Sequence, residues 1–393
     1  MSGTKAGPLT SRERVLRALN HREPDRVPFD LGATVVTGIH RRAFKKLTER
    51  LGRPGSVEAP LQDTVQQIAV IDESARDLLQ VDVCGVFTRS AIVPEVQETD
   101  AHFFFYDEWG VGWRMPKAGG LYFDMFHHPL KEAASLEDVK DFPWPDPLDP
   151  ARFQGLAERA RRAAEIEGRA VVLGGLCAGV LEMAAWLRGF DGYFADFVLN
   201  PDLLGGLMDR VVELKTVYWE RALAEAGPYA DVVMEADDFA GQHRLLISPA
   251  SYRRLAKPRH KRLFDFIHAR TSAKIFFHSC GAVRPVIPDL IEIGVDILNP
   301  VQLSAAGMES AELKREFGRD IVFWGGGVDT QRVLGRGTPA EVRDEVRRRI
   351  EDLAPGGGFV FAAVHNIQSD VPVENILAMR EALREYGVYP VGG

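Results

Sequence analysis

Cysteine is scarce in this chain. Cys84, Cys177 and Cys280 are the three thiols in 393 residues, and they stand far apart. That spacing excludes a disulfide framework and suits a reducing compartment. Long apolar runs are also missing, so no stretch reads as a bilayer span. The start, Met1 to Thr10, is small and polar and lacks the apolar centre of a secretory signal, so the expected location is cytoplasmic. Positive charge is not in surplus either. A net charge of -8 and a pI near 5.8 leave little to neutralise phosphates, which excludes nucleic acid as the main partner. Arg347-Arg348-Arg349 lies in a helical pattern with Glu and Asp interleaved and reads as a solvated face. A Gly-x-Gly-x-x-Gly fingerprint does not follow the first strand candidate, and Gly356-Gly357-Gly358 precedes a strand instead of following one. The triplet therefore reads as a helix stop and turn rather than a phosphate loop.

What is present is a regular alternation. With 46% hydrophobic and 26% charged residues, the chain has ample material for a large core. Short apolar, β-branched or aromatic runs predict strands at 27–31, 81–87, 170–173, 231–234, 274–277, 296–298, 321–324 and 358–361. Helical periodicity marks 11–19, with Ser11 as its cap, and 41–51, 63–79, 203–226, 249–269, 339–353 and 374–386. About eight strand–helix units in succession predict one (β/α)8 barrel domain over 1–393, in preference to an open sheet. From about Glu95 to His128 the alternation breaks. Aromatic runs (Phe103 to Tyr106, Trp109 to Trp113) mix with glycines, and a β-hairpin inserted after the second strand is expected there. Pro143, Pro145 and Pro147 make the following stretch a rigid connector.

In such a barrel the chemistry belongs to the loops after the C-terminal strand ends. The fifth strand candidate ends in His278-Ser279-Cys280-Gly281, and in extended chain residues two apart face the same side, so imidazole and thiolate can grip one ion. Polar groups crowd the neighbouring ends: Glu235, Asp237, Asp238, Gln242 and His243 after the fourth, Asn299 and Gln302 after the sixth, Asp329 behind Gly325-Gly326-Gly327 after the seventh. His365, Asn366 and Gln368 follow the eighth. If His365 joins His278 and Cys280, one thiolate, two imidazoles and an open fourth position describe a catalytic zinc. Iron or cobalt would also fit. Zinc so held lowers the pKa of a substrate thiol or polarises an ether or carboxyl oxygen. Plainer readings stand beside these. His365 is then a hydrogen-bonded strand-end residue, Asp237 and Asp238 cap the next segment, and Asn299 and Gln302 tie loops. Cys84 and Cys177 are small buried hydrophobes, His127 and His128 are surface or lid residues, and Trp109 and Trp113 pack a hairpin face.

The run from Arg12-Glu13-Arg14-Val15-Leu16 to Asn375-Ile376 resembles the uroporphyrinogen decarboxylase superfamily. The marks are His278-Ser279-Cys280-Gly281, Ile293-Gly294-Val295-Asp296, Gly325-Gly326-Gly327-Val328-Asp329 and Pro372-Val373-Glu374-Asn375-Ile376. The resemblance implies a (β/α)8 barrel and offers two branches. True decarboxylases work without metal or cofactor and carry an arginine motif near the N-terminus for substrate carboxylates, with an Asp after the second strand. Here the matching stretches are Phe29-Asp30-Leu31-Gly32-Ala33-Thr34, without an arginine pair, and Phe87-Thr88-Arg89, without an acid. Fixed cations for a polycarboxylate are missing from the expected place. The other branch comprises zinc-dependent methyltransferases acting between corrinoid proteins and thiols or other small acceptors. Its His-x-Cys motif matches His278 and Cys280, and its third ligand, commonly Cys, falls at His365. The resemblance thus implies Zn2+ on His278, Cys280 and His365, with Glu235, Asp237 or Asp238 as a fourth ligand or acid/base partner. Asn299, Gln302, Asp329 and Gln368 would orient substrate. A corrinoid, as methylcobalamin or on a partner protein, would be co-substrate, the insertion a pocket wall or docking face, and a homodimer is possible. The alternatives are a carboxy-lyase acting on a tetrapyrrole or related carboxylate, and a non-catalytic scaffold for a corrinoid partner.

Overall fold

The computed structural model describes residues 9–53, 60–90 and 94–391, so residues 1–8 of the N-terminal stretch lie outside the described residues. Seven parallel strands form a sheet in the order Phe359–Val360, Val322–Trp324, Ile297–Asn299, Lys274–His278, Val232–Ala236, Ala170–Leu173 and Val83–Val86. Residues 27–31 fill the remaining position between the two ends. Phe29 makes a parallel bridge to Phe361, and Phe361 N donates to Pro28 O at 2.8 Å. On the other side Asp82 N donates to Phe29 O, also at 2.8 Å. The sheet is thereby closed into the expected (β/α)8 barrel, with residues 27–31 held by bridges rather than a full ladder.

Strands buried on both faces read as continuous apolar runs because neither side meets water. Their alternation sorts the side chains. Val83, Val172, Val232, Met234, Phe276, Ile297, Val322, Trp324 and Val360 share one buried cluster, which fills the barrel. Val171, Val233, Ile275, Phe277, Leu298 and Phe323 belong to the other, between sheet and helices. Helix Ser11–Leu19 plugs the lower end by adding Val15, Ala18 and Leu19 to the inner cluster. That parity decides the site, since His278 is in phase with Phe276 and faces inward, whereas Glu235 is in phase with Val233 and faces outward.

A buried ion network holds the first strand position. The Asp82 carboxylate accepts from Arg14 Nη1 (2.7 Å), Arg26 Nη1 (2.7 Å) and Phe29 N (2.9 Å). Several local expectations are corrected. Thr10, not Ser11, caps the first helix, because Thr10 and Glu13 close a reciprocal capping box. Residues 63–79 are not one helix. Leu61–Asp63 and Ile68–Ala69 pair antiparallel, and only Glu73–Leu79 is helical, capped by Asp72. The helix expected at 249–269 begins as Pro249–Ser251 and passes through a π-turn at Tyr252–Ala256 before Lys257–His268. The insertion after the second strand is larger than a hairpin. Gln97–Glu98, His102–Tyr106, Gly112–Pro116 and Asp124–His127 form a four-stranded antiparallel sheet. Trp109 and Trp113 are packed, Trp113 edge-on against Trp186 at 5.2 Å. No helix among the described residues is long and apolar enough to cross a membrane.

Candidate metal centre

The ligand atoms of His278, Cys280 and His365 lie within 4.8 Å of one another. The fifth strand delivers His278 inward at its last residue, and Cys280 follows two residues on, with its Sγ 3.5 Å from His278 Nε2. Gly281 must then turn the chain at φ +94°, where a Cβ would press on the backbone of Ala240 and Gly241. The loop after the eighth strand brings in His365, whose ring meets His278 edge-on at 5.6 Å. Phe276 and Trp324, 5.5 Å apart, form an apolar floor under the pair.

Neighbours leave both imidazoles with a lone pair for ligation but favour the protonated form of the thiol. His278 Nδ1–H donates to Asn299 Oδ1 at 2.6 Å, which leaves the Nε2 lone pair toward Cys280. Asn299 is itself fixed by donating Nδ2–H to Trp324 O at 2.7 Å. Burial, helped by His278 alongside, holds the His365 imidazole down to about 4, so it is neutral at pH 7 with a free lone pair. Burial pushes the Cys280 thiol well up, and the carboxylates of Asp238 and Glu182 push it further. Glu182 is raised well above the usual carboxylate range, by burial first and then by Asp238 and Asp237. Two imidazoles and a thiol, with the Asp238 carboxylate beside them, make a donor set whose chemistry fits zinc.

The expected site residues fall into three groups. Asp238 is brought to the cluster, since its Oδ1 accepts from Cys280 N at 2.6 Å and lies 3.7 Å from His278 Nε2. Asn299 and Gln302 support it from behind. Asn299 orients His278, and Gln302 Oε1 accepts from Gly281 N (2.6 Å) while its Nε2–H donates to Gln242 Oε1 (3.0 Å). The rest are engaged elsewhere. Glu235 faces the helices and accepts from Lys215 Nζ (2.7 Å) and Trp219 Nε1 (2.6 Å), so its carboxylate is turned away from the mouth. Asp237 is buried and caps the N-terminus of helix Val180–Arg188 through Leu181 N and Glu182 N, both at 2.8 Å. Asp329 is buried and closes a turn by accepting from Gln331 N and Arg332 N. Gln368 Nε2–H donates to Asn366 O at 3.1 Å. His128 is tied to Trp186 O, and His127 is exposed on the insertion.

Glu182 is a part-buried acid without a strand-end signal in the sequence. It is the third residue of a helix that starts on the loop after the third strand, and its Oε2 accepts from Gly179 N at 3.3 Å, so it lies past the strand end where polar residues mark a site. The signal was Gly179-Val180-Leu181-Glu182, a small residue followed by an acid at the third helical position.

Residues 109–386 match the family model for uroporphyrinogen decarboxylase (URO-D). Among curated relatives, the uroporphyrinogen decarboxylase of Alkalilimnicola ehrlichii is 24% identical over 389 residues, covering 96% of this chain and 94% of its own. That of Thermus thermophilus is 27% identical over 365 residues, covering 88% and 91%. Among solved structures, a methyltransferase from Methanosarcina mazei matches with a TM-score of 0.66 at 20% identity, covering 96% of this chain and 99% of that one. The last similarity is one of fold.

Proposed function

The chain belongs to the uroporphyrinogen decarboxylase family, and we propose that it is a zinc-dependent methyltransferase of that family, moving a methyl group between a corrinoid and a small thiol, ether or similar molecule. The observation that carries this reading is the donor set at the barrel mouth: His278, Cys280 and His365 within ligating reach, with the Asp238 carboxylate on the Cys280 amide and 3.7 Å from His278 Nε2. A polycarboxylate substrate needs cations in that place, whereas a metal ion needs donors and negative charge. The Methanosarcina mazei protein bears the name methyltransferase, which agrees with the reading but contributes only its fold.

His278, Cys280 and His365 would hold the ion, which when bound supplies Lewis acidity that lowers the pKa of a thiol or polarises an oxygen. Asn299 keeps the His278 proton on Nδ1, so that Nε2 is available. His365 needs no deprotonation at neutral pH, because burial already keeps it neutral. Cys280 must give up its Sγ proton, which makes metal uptake favoured by rising pH. Asp238, part-exposed beside both His278 and Cys280, is the carboxylate in place to accept a proton from an incoming thiol. Phe276 and Trp324 keep water from the floor of the site.

The curated relatives favour a second reading, decarboxylation of a tetrapyrrole or related carboxylate. Assays of the purified protein separate the two. Methylcobalamin offered with a panel of small thiols should be demethylated in a zinc-dependent manner, and uroporphyrinogen should be left unchanged. Turnover of uroporphyrinogen by metal-free protein would overturn the methyltransferase reading.

A further inference from the structure

The triplet Arg347-Arg348-Arg349 reads from sequence as one solvated helix face, and the structure divides it. Helix Pro339–Leu353 pairs Arg349 with Glu345 and Asp352, each at 3.4 Å, and pairs its Arg343 with Glu385. Arg347 and Arg348 instead line a cavity of about 520 Å³, which Arg332 and Arg336 enter from the loop after the seventh strand. All four arginines are exposed, so a ligand can reach them.

The acids in the cavity do not match this charge. Glu341 is committed to the helix cap, where its Oε2 accepts from Thr338 N (2.7 Å) and Thr338 Oγ1 (2.9 Å). Asp344 approaches Arg347 only at 4.0 Å. Arg332, Arg336 and Arg348 have no ion-pair partner among the described residues. In a chain of net charge -8, unpaired guanidinium groups thus converge from two segments on one concavity.

The loop that brings Arg332 and Arg336 is built to hold its shape. Asp329 Oδ1 accepts from Gln331 N (2.7 Å) and Arg332 N (2.9 Å), and Leu334 N donates to Asp329 O at 2.8 Å. Gly337 N donates to Val333 O, also at 2.8 Å. From beneath, the buried Asn375 donates through Nδ2 to Leu334 O (2.9 Å) and Gly337 O (2.8 Å). Backbone held in this way lowers the ordering cost of binding.

We propose that this groove binds a compact diphosphate through the guanidinium forks of Arg332, Arg336 and Arg348. A planar fork gives two parallel N–H donors to an oxyanion, which is why arginine suits phosphate. The cavity falls within the usual size of a small-molecule site, about 300–1,000 Å³. The rest of its lining, Val333 and Gly337, offers no ring on which a base could stack, so charge is what the groove reads. The site shares no residue with the metal cluster and does not depend on the zinc reading.

Isothermal titration of the purified full-length chain with pyrophosphate tests the proposal, with R332Q, R336Q and R348Q alongside. One saturable site per chain is expected in the wild type. Each variant is expected to bind about fivefold more weakly, the upper end of what one exposed charged pair contributes. R315Q removes an exposed guanidinium from helix Ser310–Phe317, outside the groove, and is expected to stay within about twofold of wild type because a distant exposed charge is screened. ADP, which carries a diphosphate on a nucleoside, is expected to bind no more tightly than pyrophosphate. Absence of saturable binding would overturn the proposal, and so would R315Q as weak as the groove variants, which would mark a general charge effect. Wild-type affinity in all three groove variants would do the same, since a diphosphate caught by metal at the barrel mouth would be indifferent to them. ADP binding more tightly than pyrophosphate would show that a base is read and would overturn the assignment to a compact diphosphate.

Discussion

Asp30 offers a prediction in which sign and size both follow from its surroundings. Its carboxyl is buried at the end of the first barrel position, with Oδ2 accepting from Trp324 Nε1 (2.9 Å) and Oδ1 from Ala33 N (3.0 Å). Burial outweighs these bonds and that from Thr37, and the carboxyl is pushed up from 3.8 to about 6. An acid with a raised folded-state pKa stabilises the fold when protonated. Its contribution is full below the unfolded value near 4 and is lost as pH rises through 6. The rise corresponds to ~3 kcal/mol at 1.36 kcal/mol per tenfold change in proton affinity. Asp30→Asn removes the titration and adds a pH-independent offset for the changed hydrogen bonds. Denaturant unfolding of wild type and D30N in parallel, from pH 4 to pH 7.5 with chelator throughout, isolates the difference. Wild type should gain up to ~3 kcal/mol on D30N as pH falls from 7 to 4, most of it between pH 6 and 4. A difference that stays flat across that window, or that moves the other way, would refute the reasoning.

Three further outcomes follow from buried groups. Asp82→Ala strips Arg14, Arg26 and Phe29 N of their shared acceptor and should cost about 3–5 kcal/mol in denaturant unfolding, with the seam at residues 27–31 losing hydrogen-exchange protection first. Lys215→Met leaves the Glu235 carboxylate buried beside Trp219 alone and should cost about 3–5 kcal/mol, and the K215M/E235Q pair should recover most of it. Because Glu235 faces away from the mouth, the double variant should keep wild-type zinc content by elemental analysis. Gly179→Ala drives a methyl into Ala236 O and the Asp237 carboxylate and should lower stability by about 1–3 kcal/mol, read as a drop in the thermal midpoint.

The barrel strands were legible because each is a buried apolar run, and the cluster of His278, Cys280 and His365 because polar residues end such runs abruptly. Inward and outward phase was not legible at the fourth strand. Val232, Val233 and Met234 are all apolar, so nothing in the run says that Glu235 meets Lys215 while His278, paired across from Ala236, faces the mouth. Long-range caps were hidden for a different reason. Asp237 is read by amides at 181 and 182 and by a ring at 260, partners that no local spacing connects. Residues 63–79 imitated a helix because Ile68, Ala69 and Ile71 are buried by a short ladder and by neighbours from residues 31–40. The extra strands of the insertion, Gln97–Glu98 and Asp124–His127, are edge-like and polar or mixed, and so lack the alternation that marks a strand.

The central claim is that His278, Cys280 and His365 hold a zinc ion, and elemental analysis of the purified protein tests it most directly, with His278→Ala, Cys280→Ser and His365→Ala alongside. The account predicts one zinc per chain in the wild type and its loss in each variant, with the variants still folded by circular dichroism. A wild type that stays metal-free after zinc is offered, or variants that keep their zinc, would contradict it.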